Sequence, residues 1–506
     1  MRIPRSGVAV ASSTKVAAEA GAAIAREGGN AVDAAIAAAW VGAVAEPGIC
    51  APGSGGFVTV WGPGADPVTI DGYIEMPGRG LPPERFGKGT QEIHLEYGGG
   101  VSMHVGHGSV GTPGGPAALS VASELYGRVP WAVALEPALE LATNGFELSP
   151  PARQYLEFSG AKVFGWHPDS RKALHHEDGS LIEVGERIYI EGLADSLDRI
   201  SRNGAADFYT GEIGHAIAAD MAENGGLVTA DDLAEYRPVV RDALVGPVGD
   251  WIVATNPSPA IGGVVLGAML RLIGERPSNP WSREDVEHMV EVQKSVLGYR
   301  RDHVDMREDI EAAIAEMQAA FRSPSTVHTS VVDSDGLACS ITLSAGYGSG
   351  VMVPGTGLWL NNCLGEIELN RRGLHTWPVG SRLVSNMSPT VARDSTGRVL
   401  SIGSPGADRI TTAIWQVFAN HANAGMSLAG SIGHPRMHLE MTDDGPRMVA
   451  EPGIPTDLGG IPWRTTTGPS MYFGGVGVAE WSPGGGLVAE SDPRRSGGTA
   501  IVETRG

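Results

Sequence analysis

Cysteine is scarce in this chain. Cys50, Cys339 and Cys363 are widely separated, and no Cys-x-x-Cys pair exists, which argues against a disulfide framework or a structural zinc site. His175 and His176 adjoin in a polar stretch, where neighbouring side chains do not converge as ligands at i and i+4 would. No metal is therefore predicted. Lysine is confined to Lys15, Lys88, Lys162, Lys172 and Lys294, and the net charge is -21. That acidic balance argues against nucleic acid and anionic membrane surfaces as partners. Long apolar runs are also lacking: residues 31–45 are the most apolar stretch, yet they carry Asp33 and are too short to cross a bilayer. The basic start, Met1-Arg-Ile-Pro-Arg5, leads into no continuous apolar core before Ser12. No signal peptide is predicted, and the expected location is cytoplasmic. No short-period repeat occurs, so solenoids and propellers are excluded.

Glycine and proline are abundant instead, 72 and 34 of 506 residues, in a chain that is 42% hydrophobic and 19% charged. Such a composition describes a loop-rich globular protein able to bury a large core. Periodicity by itself supports a mixed α and β fold. Ser13 and Thr14 cap a helix over residues 16–26, ended by Gly28-Gly29. Asn30 starts a second helix, which Glu46-Pro47 stops. The turn Gly53-Ser-Gly-Gly56 feeds a strand; a phosphate loop is disfavoured there, because no Lys-Ser/Thr and no helix follow. Residues 281–321 read as a polar helical stretch with a solvated face. Residues 347–350, 355–357 and 358–362 read as strands joined by glycine turns, and residues 410–424 as a helix.

Between these halves lies a hairpin. Pro324 interrupts a short polar linker, since it fixes φ and lacks a donor. Val327, Thr329 and Val331 then alternate with His328, Ser330 and Val332, the period of a strand with two faces. Asp333-Ser-Asp-Gly336 makes a turn, and residues 337–343 return as a second strand.

The wording Ser325-Thr-Val-His-Thr-Ser-Val-Val-Asp333, followed by Ser-Asp-Gly336, resembles the processing site of the γ-glutamyltransferase family. These are N-terminal-nucleophile hydrolases whose precursor cuts itself before a Thr, at the position of Thr326 here. The resemblance continues in Gly28-Gly-Asn-Ala-Val-Asp-Ala-Ala35, Gly111-Thr-Pro-Gly114, Phe208-Tyr-Thr-Gly-Glu-Ile213, the segment 224–233 and Gly262-Gly263. Taken singly, these are turns, caps and packing glycines; their shared order covers nearly the whole chain. The fold this implies is α+β, a four-layer αββα sandwich of two antiparallel sheets flanked by helices. Cleavage after Ser325 would give a heterodimer of residues 1–325 and 326–506, interleaved as one domain. A dimer of such heterodimers stays open, and no cofactor is implied.

An internal Thr hydroxyl is a poor nucleophile, whereas an N-terminal one has its own α-amine, of pKa about 8, as base. The resemblance makes Thr326 the nucleophile, with Ser344 where the family has a second Thr that hydrogen-bonds it; Ser344 alone reads equally as an ordinary strand residue. Gly403-Ser-Pro-Gly-Ala407 resembles the oxyanion turn, with the N–H groups of Gly406 and Ala407 as donors. The substrate end departs from the family. Ile74 stands where an Arg holds the carboxylate of glutamate, with Arg79 or Arg85 as nearby substitutes. Gly346 replaces an Asn, Cys363 and Glu366 after Asn362 replace an amide and an Asp, and Ser385 and Asn386 replace paired serines. Arg409 is either a substrate contact or a surface ion pair. Loss of a bidentate Arg clamp removes a strong contact and points to altered acyl specificity. The expected activity is hydrolysis or acyl transfer on a small amide. Cleavage of a carbon–carbon bond next to a carbonyl, and an uncut, non-catalytic binding homologue, are the alternatives.

Overall fold

A computed structural model describes residues 7–96, 100–320, 328–442 and 444–503. Ser325 and Thr326 lie outside the described residues. Thirteen strands build the two main sheets. They are β1 (Val8–Ser12), β2 (Gly55–Trp61), β3 (Val68–Gly72), β4 (Val239–Asp242), β5 (Leu244–Val248) and β6 (Trp251–Thr255). After the hairpin strands β7 (Thr329–Asp333) and β8 (Ala338–Ser344) come β9 (Thr390–Asp394) and β10 (Val399–Gly403). The last three are β11 (Gly477–Ser482), β12 (Gly486–Ser491) and β13 (Gly498–Val502).

The first sheet has the order β13-β1-β7-β8-β2-β3-β4, and the second β12-β11-β10-β9-β6-β5. Every neighbouring pair is antiparallel. In the first sheet β1, from before residue 326, thus lies between β13 and β7 from after it, and strands from the two parts of the chain adjoin in the second. The hairpin β7–β8 sits at the centre of its sheet, with β8 running against β2 so that Ser344 faces Gly55.

The two sheets pack face to face through small side chains. Ala9, Ala11, Val332, Ala338, Val391 and Ala479 form one buried cluster between them. The period of two decides this: Val331 and Cys339 turn to the helices, while Val332 and Ala338 turn to the second sheet. Helices α1 (Lys15–Arg26) and α2 (Ala31–Ala45) cover the outside of the first sheet. Helices α3 (Ile261–Ile273), α4 (Arg283–His303) and α5 (Ile410–Ala422) cover the second. The architecture is the four-layer αββα sandwich.

Local expectations fare unevenly. Thr14 caps α1, and Asn30 closes a capping box with Asp33 at α2. The polar stretch 281–321 holds two helices, α4 and Ile310–Ala320, in keeping with its helical reading. The region 347–362 forms only the two-residue strands Met352–Val353 and Leu358–Trp359. Its glycines at positive φ, Gly348, Gly350, Gly355 and Gly357, fold the rest into turns.

Candidate active site

The turn after β8 opens a cavity lined by Tyr73, Ser344, Gly346, Glu366, Ser385 and Asn386. Gly406, Ala407, Arg409 and Arg495 line it as well. Ser344, the last residue of β8, accepts a hydrogen bond from Gly346 N–H at 2.9 Å, which leaves its own proton free to donate. Gly346 has a φ of 65°, and a Cβ there would meet Asn362 Oδ1 at 2.3 Å and Glu366 Oε1 at 3.0 Å. Glycine is needed at that position for both reasons.

Gly406 and Ala407 follow β10 and lead directly into α5. Gly406 has a φ of 136°, and a Cβ on it would come within 2.9 Å of Gly474 Cα. Ala407 adopts a φ of 52°, a left-handed conformation that costs a non-glycine residue about 1 kcal/mol or more. Ser404 holds the turn from beneath, donating to Pro405 O at 2.8 Å and accepting from Gly475 N–H at 3.1 Å. The turn lies at the amino end of α5, where the helix dipole favours negative charge.

Not all predicted site residues reach the cavity. Asn362 Oδ1 accepts from Tyr347 N–H at 2.7 Å, and its Nδ2 donates to His104 O at 3.2 Å. Both ends of the amide are engaged in holding the turn. Cys363 is buried behind Glu366, and Glu366 itself lines the cavity. Ile74 is corrected: its side chain is fully buried in a small cluster beneath Gly55 and Gly111, and Tyr73 faces the cavity instead. Adjacent residues of an extended segment point to opposite sides. Arg79 is paired with Asp232 at 3.1 Å and Glu235 at 2.8 Å, and Arg85 donates to Gly226 O at 2.9 Å. Neither lines the cavity.

The guanidinium groups that do line it are Arg409 and Arg495. Arg409 donates to Tyr472 O at 3.1 Å, lies 4.6 Å from the centre of the Tyr472 ring and pairs with Asp408. It is both a wall of the cavity and half of an ion pair. Arg495 had no sequence signal beyond its charge. Glu368, also unanticipated, accepts from Tyr347 O–H at 2.7 Å. Burial holds the carboxyls of Glu366 and Glu368 above the usual range, and the presence of Glu368 adds to the effect on Glu366.

Two buried groups lie beside the first described turn of the hairpin. His328 packs against Gly403 between the sheets and exchanges a hydrogen bond with Ser330. Burial pushes its pKa down to about 3, so it is neutral at neutral pH and a poor proton acceptor. Glu46, which the sequence marked only as a helix terminator, accepts a hydrogen bond from Ser13 and shares two small cavities with His328. Burial raises its pKa to about 7, against the opposing effects of Ser13 and Arg495.

The family motifs away from the cavity brace it. Asn361 Nδ2 donates to both Gly53 O and Gly111 O at 3.0 Å, tying two glycine-rich turns together. Gly262 N–H, at the start of α3, donates to Ser385 O at 2.8 Å.

A family model described as gamma-glutamyltranspeptidase matches residues 17–321 and 302–502. The chain belongs to that family. Its members are enzymes of the N-terminal-nucleophile hydrolase type. The chain is similar to a glutathione hydrolase proenzyme of Escherichia coli strain K12, at 29% identity over 96% of this chain and 90% of the relative. Another glutathione hydrolase proenzyme, from Pseudomonas aeruginosa strain PAO1, is 30% identical over 86% of this chain and 83% of its own. Among solved structures, a cephalosporin acylase from Bacillus halodurans superposes with a TM-score of 0.81 at 24% identity, over 100% of this chain and 98% of that one. That likeness speaks for the fold. Among the described residues no helix is long and apolar enough to cross a membrane.

Proposed function

We propose that this family member is a self-processing threonine hydrolase or acyltransferase acting on a small amide. Thr326 Oγ first attacks the carbonyl of Ser325, and water resolves the resulting ester to free the Thr326 α-amine. In turnover that amine takes the hydroxyl proton, Oγ attacks the substrate carbonyl, and the leaving amine departs with a proton. Water or a second amine then resolves the acyl-enzyme. Ser344 orients the nucleophile, and the N–H groups of Gly406 and Ala407 receive the oxyanion, each such donor being worth about 3 kcal/mol of barrier. The products of cleavage, residues 1–325 and 326–506, remain together as a heterodimer through the shared sheets.

One observation carries this reading: Ser344, the Gly406–Ala407 turn and the Ser385–Asn386 segment line a single cavity at the end of the central hairpin. The neutral His328 supports an amine rather than an imidazole as base. Intact mass of the purified protein, beside Thr326→Ala, tests the proposal. Two fragments divided between Ser325 and Thr326 are expected in the parent and one chain in the variant, with hydrolysis of γ-glutamyl or related anilides reduced about 10³-fold or more in the variant. A single uncut chain in both would leave the proposed base unformed and favour a binding homologue.

A further inference from the structure

The wall of the cavity around Asn386 has a polarity set from behind. Arg300, on α4, donates from Nη1 to Asn386 Oδ1 at 2.6 Å and from Nε to Asp305 Oδ1 at 3.0 Å. A guanidinium has donors only, so the amide atom it meets is the oxygen. The Asn386 Nδ2 group is thereby directed away from Arg300. Asn386 is only 5% exposed and lines the cavity, and among the described residues its Nδ2 has no hydrogen-bond partner. Beside it, Ser385 Oγ accepts from Met387 N–H at 3.2 Å and its hydroxyl is engaged with the Tyr73 side chain.

The same cavity holds an acid. Glu366 lies in the same wall, buried beside Gly346, with Glu368 in the same cavity. The positive charge of Arg300 is matched by Asp305, and that of Arg409 by Asp408. Arg495 donates to Met471 O at 3.3 Å and lies beside Glu46. Ile74, at the position of the family's carboxylate clamp, is turned into the core. A free carboxylate placed against Asn386 would therefore be buried next to an acid without a guanidinium of its own, an unfavourable arrangement. An uncharged carbonyl satisfies the two N–H donors at no such cost, and an amine satisfies the acid.

We propose that this subsite selects acyl donors carrying a protonated amine beside an uncharged carbonyl, such as a carboxamide, in place of a free α-carboxylate, with Arg300 as the positioning residue that holds Asn386 as donor. The inference rests on the acyl-transfer reading for its place in catalysis, but ligand binding tests it separately. The protein as purified is titrated with L-glutamate and with L-isoglutamine, its α-carboxamide, which keep the amine and differ only in that group. Isoglutamine is expected to bind at least about tenfold more tightly, and γ-anilides of the two acyl groups to show the same order in KM. In Arg300→Met the ratio falls to about threefold or less, while Arg300→Lys, which keeps a donor toward Oδ1, preserves the preference.

Equal or tighter binding of glutamate, or binding of neither compound, overturns the subsite. A folded Arg300→Met that keeps the tenfold ratio overturns the positioning role, and if that variant does not fold, loss of the preference in Arg300→Lys does so. Selective binding of isoglutamine with no anilide released from either substrate overturns the acyl-transfer reading and leaves the subsite standing.

Discussion

Two parts of the cavity lining follow different rules. In the first, Gly403-Ser-Pro-Gly406 keeps wording that resembles the family's turn, and Ser344 stands where the resemblance has a Thr. In the second, Glu366 and Asn386 depart from that resemblance, as does Ile74 in the core behind them. The first offers backbone N–H groups and a hydroxyl at a strand end, so its geometry depends on φ values, close backbone approach and the sheets beneath. The second offers side-chain ends, which can change without moving the backbone. Chemistry lodged in the backbone resists substitution, whereas specificity lodged in side chains does not.

This contrast can be broken most severely at Ile74. Ile74→Arg, which restores the family residue in sequence, is expected to destabilise the fold by about 4 kcal/mol or more, because the charge is driven beneath Gly55 and Gly111 without a partner. Chemical denaturation would show the loss, and glutamate affinity should not improve. A stable Ile74→Arg that gains glutamate binding would place position 74 on the cavity after all.

Gly406→Ala strikes the other part. Its methyl group meets Gly474 at a φ unsuited to alanine, and the displaced N–H should lower kcat by about 10²- to 10³-fold. If the contrast holds, KM for the acyl donor changes little.

Glu46, buried beside His328, adds a pH dependence of stability. Its carboxyl is raised from 4.5 to about 7 in the folded protein, so between those values the folded state holds a proton that the unfolded state has released. Its contribution to stability is therefore present below pH about 4.5 and is lost as pH rises through about 7, amounting to roughly 3 kcal/mol. Glu46→Gln should flatten that part of the stability profile between pH about 4.5 and about 7, read from denaturation midpoints at each pH. An unchanged slope would show that Glu46 is ionised throughout.

The smallest effect concerns Ala407. Relief of its left-handed strain outweighs the added freedom of glycine in the unfolded chain, so Ala407→Gly should gain about 0.5–1 kcal/mol with the oxyanion donors intact. A loss of stability would mean that the methyl group contributes packing worth more than the strain.

Much of the fold was legible because its signals are local. Thr14 and Asn30 mark their helix starts through side-chain caps, and the alternation after residue 327 marks β7. The region 347–362 misled because alternating apolar residues there are interrupted by glycines at positive φ, which turn the chain before a ladder can extend. The polar stretch 281–321 was legible as helical, although its composition does not mark the break between α4 and the helix that follows.

By itself the sequence determined the order of turns, caps and strand periods, and with them the family, the sandwich and the place of the Gly406–Ala407 turn after β10. Those depend on backbone conformations that glycine, proline and capping side chains specify within a few residues. Only the tertiary structure decided that Tyr73 rather than Ile74 faces the cavity, that Asn362 braces a turn, and that Arg300 orients Asn386. It also decided that Glu46 is buried beside His328. Each of these joins segments tens to hundreds of residues apart, and which face of a segment meets which neighbour is settled by how the layers pack.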